Sequence, residues 1–132
     1  MSNLSLFLKK NKKVRENVKY AATKSLCDEN GKPLEWEIKP LNSREYDQLM
    51  ADCSDDKGKM DWVMFREQLI TACVAEPNLN SSELQDSYGV MSAEDLLRAM
   101  VDDPSEFSAF YKFADNLSSG GNIDEKIEQA KN

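Results

Sequence analysis

Apolar and polar positions alternate at period two in the first third of the chain. Val18, Tyr20 and Ala22 share one face of the stretch Asn17–Leu26, the spacing of a half-buried strand. Asn30-Gly31, followed by Lys32-Pro33, supplies the positive φ angles that a tight hairpin turn requires. The returning stretch Leu34–Lys39 alternates cleanly, which predicts Leu34, Trp36 and Ile38 inward and Glu35, Glu37 and Lys39 outward. Lys24 breaks the parity of the first strand and predicts a bulge or an exposed edge there.

After Pro40 the period becomes that of a helix. Tyr46, Leu49, Met50 and Cys53 fall at i, i+3, i+4 and i+7, with Asn42 and Glu45 spaced as a capping box. A polar loop at 52–59 leads to a second helix from Met60 to Glu76, where Pro77 stops it. Trp62, Phe65, Leu69 and Cys73 form one stripe of that helix and Val63, Ile70 and Val74 another, an arc wide enough to predict a central place in the core. Asn80 with Glu83, Ser92 with Asp95, and Asp103-Pro104 with Glu106 then open three more helices. Their apolar positions are Leu84 and Tyr88 before Gly89; Leu96, Leu97 and Met100; and Phe107, Phe110, Tyr111, Ala114 and Leu117. Ser118-Ser119-Gly120-Gly121-Asn122 breaks the pattern, and no internal repeat is visible.

The fold these elements predict is α+β: an N-terminal β-hairpin packed against four to five α-helices, mostly helical. At 132 residues one core is expected. The expected organisation is a basic arm over residues 1–16, a single globular domain over 17–117 and a flexible charged tail over 118–132.

Charge changes the picture of the partners. Residues 1–19 hold six Lys/Arg against Glu16 alone, so the overall −7 conceals a net of about −12 on the remainder, a field that repels phosphate backbones and anionic lipid heads. Neither nucleic acid nor membrane is expected as a main partner, and the Lys9–Arg15 run, without interleaved aromatics, reads as a solvated arm. Leu6-Phe7-Leu8 precedes the basic residues rather than following them and is short for a signal peptide. No run approaches the roughly 18 apolar residues of a membrane span. Cys27, Cys53 and Cys73 leave one thiol over in any disulfide scheme and form no Cys-x-x-Cys, as expected for a reducing cytoplasm.

The chain has no histidine, which removes Ser-His-Asp and Cys-His nucleophilic sites and the common zinc sites. Its glycines form neither phosphate-cradling spacing. Around Gly58 a calcium loop would need oxygen ligands where Cys53, Lys57 and Met64 stand. Glu35 and Glu37 share a face but read as the wet side of a hairpin, and Cys73 on an apolar helix reads as core. No active site and no cofactor are expected. Glu83–Tyr88, Gly89-Val90-Met91 and Ser92–Val101 have the outline of a helix-turn-helix, yet Glu94 and Asp95 would lead the recognition helix into the phosphates. A packed helical hairpin is the better reading.

Several segments together resemble the XkdN-like phage tail assembly chaperones: Glu16–Tyr20, Glu35–Leu41, Pro77–Asn80, Glu83–Val90 (Glu-Leu-Gln-Asp-Ser-Tyr-Gly-Val) and Ala93–Met100. Pro104–Phe107 departs from the family's Pro-Gly-Glu-Tyr, a difference confined to a local turn. The resemblance implies a non-enzymatic assembly factor of a long, contractile-tailed phage, prophage or tail-like particle. Such a factor acts in the cytoplasm of the bacterial host and is absent from the finished particle. The implied partners are a tape measure protein, kept soluble by the chaperone, and tail tube subunits, with self-association left open. Ala130-Lys131-Asn132 can be encoded by a slippery heptamer, so a longer frameshifted product that binds the tube is a further expectation. Met50, Met60, Met64, Met91 and Met100 offer adaptable apolar surface, although most of them fit core positions. Leu84, Tyr88, Met91, Leu97 and Met100 are the expected partner-binding residues. The competing readings are a structural adaptor retained in the tail, which mass spectrometry of purified particles would detect, and a small helix-turn-helix regulator, which would bind DNA in a salt-sensitive way.

Overall fold

The computed structural model describes residues 3–120; the expected charged tail beyond Gly120, with the codons around Asn132, lies outside the described residues. The architecture is mostly helical α+β. Two short 3-10 turns, Asn3–Phe7 and Lys9–Asn11, precede β1 (Val18–Tyr20), β2 (Trp36–Ile38), α1 (Ser43–Asp52) and α2 (Trp62–Cys73). Strand β3 (Val74–Glu76) then leads to α3 (Ser82–Tyr88), α4 (Ala93–Met100) and α5 (Pro104–Ser119). The three strands form an antiparallel sheet in the order β1-β2-β3.

The helix starts follow local chemistry. Asn42 and Glu45 close a reciprocal capping box on α1, and Ser92 and Asp103 cap α4 and α5 as their spacing predicts. Helix α3 is capped by Ser81, one residue after the expected Asn80. Helix α5 runs through Ser118 and Ser119, beyond the expected end at Leu117, and closes on Gly120 at positive φ.

Two expectations are corrected by tertiary contacts. The second helix does not continue to Glu76: Val74–Glu76 is extended and pairs with β2, with Ile38 opposite Val74 and Glu37 opposite Glu76. The open edge of β2 offers the backbone of Val74 a ladder, and a β-branched residue suits it. The first strand likewise ends at Tyr20 rather than Leu26. There the chain turns to bury Ala22 and Thr23, and Glu106 on α5 holds the turn: Thr23 Oγ1 donates to Oε1 at 2.7 Å and the Lys24 N–H to Oε2 at 2.8 Å.

The hairpin loop is also wider than a two-residue turn. Asp28 N–H bonds the Lys32 carbonyl, Gly31 N–H returns to Asp28, and Asp28 Oδ1 accepts from the N–H groups of Asn30 and Lys32. The same construction recurs between α1 and α2, where Asp55 Oδ1 accepts from Lys57 and Lys59 and Gly58 N–H returns to Asp55. Both loops read Asp-x-x-Gly-Lys. Gly31 and Gly58 stand at φ 81° and 83°, where a side chain would be strained.

The core is built around α5. Phe110, fully buried, lies 5.1 Å from the Tyr20 ring and 5.6 Å, edge-on, from Trp36, while Phe113 stacks on Tyr20 at 4.2 Å. This joins α5 to the sheet. On another side α5 packs along α2, whose Phe65, Leu69, Ile70 and Cys73 are buried. Tyr111 meets Phe65 edge-on, and α4 adds Leu96, Leu97 and Met100. Leu34, expected inward, is 43% exposed because it precedes the paired part of β2.

Polar ties secure the same helix. The Leu41 N–H donates to the buried Ser118 Oγ at 3.0 Å, and Arg15 donates to the carbonyls of Ser118, at 2.7 Å, and Leu41. Tyr46 Oη donates to Asp115 at 2.6 Å. Burial, followed by that carboxylate's hydrogen bond and charge, holds the Tyr46 phenol well above its ordinary value; burial raises Tyr20 and Tyr111 in the same direction.

Phe110→Ala is expected to cost about 3–5 kcal/mol by the loss of a large buried ring and the cavity left behind, read as a shift in the urea midpoint. Because the tyrosine pKa values are raised on folding, their stabilisation is complete below the unfolded value of about 10 and is lost as pH rises above it. Urea midpoints should therefore be flat near neutrality and fall above that value, and Tyr46→Phe should blunt the alkaline fall. An undiminished fall in the variant would remove Tyr46 from this account.

Candidate partner-binding surface

Glu37, on the outer face of β2, accepts from Asn17 and Lys19, each at 3.3 Å; these bonds and the Lys19 charge hold its carboxyl below the usual range, opposite to what a general acid needs. Cys73 lies 3.5 Å from Ser118 Oγ, and burial pushes its thiol up, as it does that of Cys53. A thiol held protonated is a poor nucleophile. Among the described residues no group of three or more His, Cys, Asp or Glu is gathered to hold a metal ion, and no helix is long and apolar enough to cross a membrane.

The surface features that stand out are exposed apolar side chains. Of the five residues expected from sequence to meet a partner, Leu97 and Met100 are buried against the core on the inner face of α4. They are unavailable in the folded protein, because a helix so short presents one apolar stripe and the core takes it. Leu84 and Tyr88, one turn apart on α3, are half-buried, and Met91, in the turn after Gly89, is 93% exposed. Leu84 and Tyr88 pack against the core with part of each side chain left accessible, so of the five only Met91 is freely exposed. Of the other methionines considered, Met50 and Met60 are half-buried and Met64 is exposed.

A second apolar surface was hidden in the periodicity. Trp62 and Val63, read from sequence as parts of two core stripes, occupy the first turn of α2 with Met64, and the three are 58%, 66% and 39% exposed. Asp61 is the N-cap, its side chain accepting from the Met64 N–H at 3.1 Å, so the helix begins at the solvent edge and Phe65 is its first buried residue. An N-cap residue directly before three apolar residues was the signal available. With Cys53, Asp55, Lys59, Met60 and Asp61, Trp62 and Val63 line an open groove of about 470 Å³. Leu6, Phe7 and Val14 on the N-terminal arm are more exposed still, at 70%, 81% and 83%. The arm is fastened by Arg15 rather than wholly solvated.

The family described as "Phage XkdN-like tail assembly chaperone protein, TAC" matches residues 4–131. The crystal structure of the protein yqbn superposes on the chain with a TM-score of 0.77 at 16% sequence identity, covering 90% of this chain and 98% of that one, a similarity of fold. No curated protein sequence matches.

Proposed function

We propose a function for this chain from the family to which it belongs, the XkdN-like phage tail assembly chaperones: it binds the tape measure protein, keeps that long apolar chain soluble and helps bring tail tube subunits to it. It does so without catalysis, in the cytoplasm of the bacterial host, during assembly of a contractile tail, and leaves before the particle is complete. A longer product of programmed frameshifting carries the contact to the tube.

The observation that carries this reading is the family match along nearly the whole chain. The surface agrees with it physically. A helical client with apolar stripes needs exposed apolar side chains that adapt to many sequences, and an unbranched thioether such as that of Met91 adapts well. The acidic body keeps the complex in solution. We assign the client contact to Leu84, Tyr88 and Met91 at the α3–α4 corner, where α4 is pinned to the body by Arg98, which donates to Glu67 at 2.7 Å and lies 3.8 Å over the Phe107 ring.

Co-expression with the tape measure protein of the same gene cluster tests the function. The tape measure should become soluble and co-purify only when this chain is present; a tape measure that stays insoluble and unbound sinks the proposal. Met91→Glu alters a fully exposed side chain, so it should leave the urea midpoint unchanged while weakening the complex about tenfold, the effect of losing one anchor of roughly 1.4 kcal/mol.

A further inference from the structure

The N-terminal arm and the groove at the start of α2 are complementary. The arm joins exposed Leu6 and Phe7 to Lys9, Lys10, Lys12 and Lys13. The groove joins exposed Trp62 and Val63 to Asp55, Lys59 and Asp61, and the stretch 52–61 that forms it holds four aspartates against Lys57 and Lys59, so its charge is acidic on balance. Asp55 and Asp61 are exposed and each uses one carboxylate oxygen to accept from backbone N–H groups.

In this conformation the arm is not in its own groove. Arg15 fastens the arm near the first turn of α1, where Lys9, Lys12 and Lys13 line a hollow with Pro40, Asn42 and Glu45. The groove lies past the other end of α1, at Cys53, and ten residues of helix separate the two by about 15 Å. The arm thus rests at one end of α1 and leaves the groove past the other end open to a second copy.

We propose that the Leu6–Lys13 segment of one copy docks in the groove formed by Cys53, Met60, Trp62 and Val63 of a second copy, so that the protein self-associates through its arm. Phe7 lies against Trp62 and Val63 across the contact, and the arm lysines face Asp55 and Asp61. Anionic lipid is the weaker occupant for the arm, because the acidic body is repelled from such a surface.

Sedimentation velocity of the full chain over a wide range of concentration is the test, with Phe7→Glu and Trp62→Glu as variants. Both side chains are largely exposed, so far-UV circular dichroism and urea midpoints should stay close to wild type. The wild type should associate with rising concentration, less strongly as salt is added, and each variant alone should weaken association at least tenfold. An equimolar mixture of the two should regain a mixed species, since Trp62→Glu retains a sound arm and Phe7→Glu a sound groove. A wild type monomeric at every concentration, variants that associate as it does, or a mixture that recovers nothing would each overturn the proposal. So would an arm that binds anionic vesicles while the protein remains monomeric.

Discussion

The contact on which the rest depends is Phe110 seated between Tyr20 and Trp36. A three-stranded sheet with strands of three residues each cannot hold itself together in water, because it buries too little surface and makes too few ladder bonds. It exists because one face of it carries aromatic rings that α5 covers. The same helix packs along α2 on another side, so a single sixteen-residue element joins the sheet layer to the helical layer. Its length and its mixture of Phe, Tyr and Ala follow from having to meet both.

The polar interactions divide the remaining work by location. Glu106 near the beginning of α5 holds the chain where it leaves β1, and Ser118 near its end holds the chain where β2 passes to α1. Buried Thr23 and Ser118 are each satisfied in this way, and no buried side-chain nitrogen or oxygen among the described residues lacks a partner. An unsatisfied group in either place would cost about 1–3 kcal/mol. Arg15 extends this scheme outward, since its guanidinium bonds carbonyls at the end of α5 and in the β2–α1 connection and thereby gives the N-terminal arm a fixed point of departure.

For a member of a chaperone family, the distribution of apolar surface carries more information than any cavity. The core buries the inner faces of α2, α4 and α5 and partly covers those of α1 and α3, and the apolar side chains left most exposed are discontinuous: Met91 in the α3–α4 turn, the first turn of α2, and the arm. Isolated exposed apolar residues are ordinary, whereas three in succession on a helix start, bordered by carboxylates, form a patch with a charge preference. The strong acidity of the body limits which partners approach each patch without preventing apolar contact once they have.

The sequence by itself determined the mostly helical α+β class, the capped starts of α1, α4 and α5, and the inward faces of Trp36, Ile38, Leu69 and Phe110, because caps and periodicity act within a few residues of one another. It also carried the family through residue order, as in Glu83–Val90. It did not determine that Val74–Glu76 would be a strand, that β1 would stop at Tyr20, or that Leu97 and Met100 would turn inward while Trp62 and Val63 stayed out. Those outcomes depended on partners far away in sequence: an open edge on β2, the carboxylate of Glu106, and the amount of helix surface the core could cover. Apolar spacing states which residues can share a face. Only the assembled fold, through the finite area of its core, decided which of those faces became interior and which remained surface.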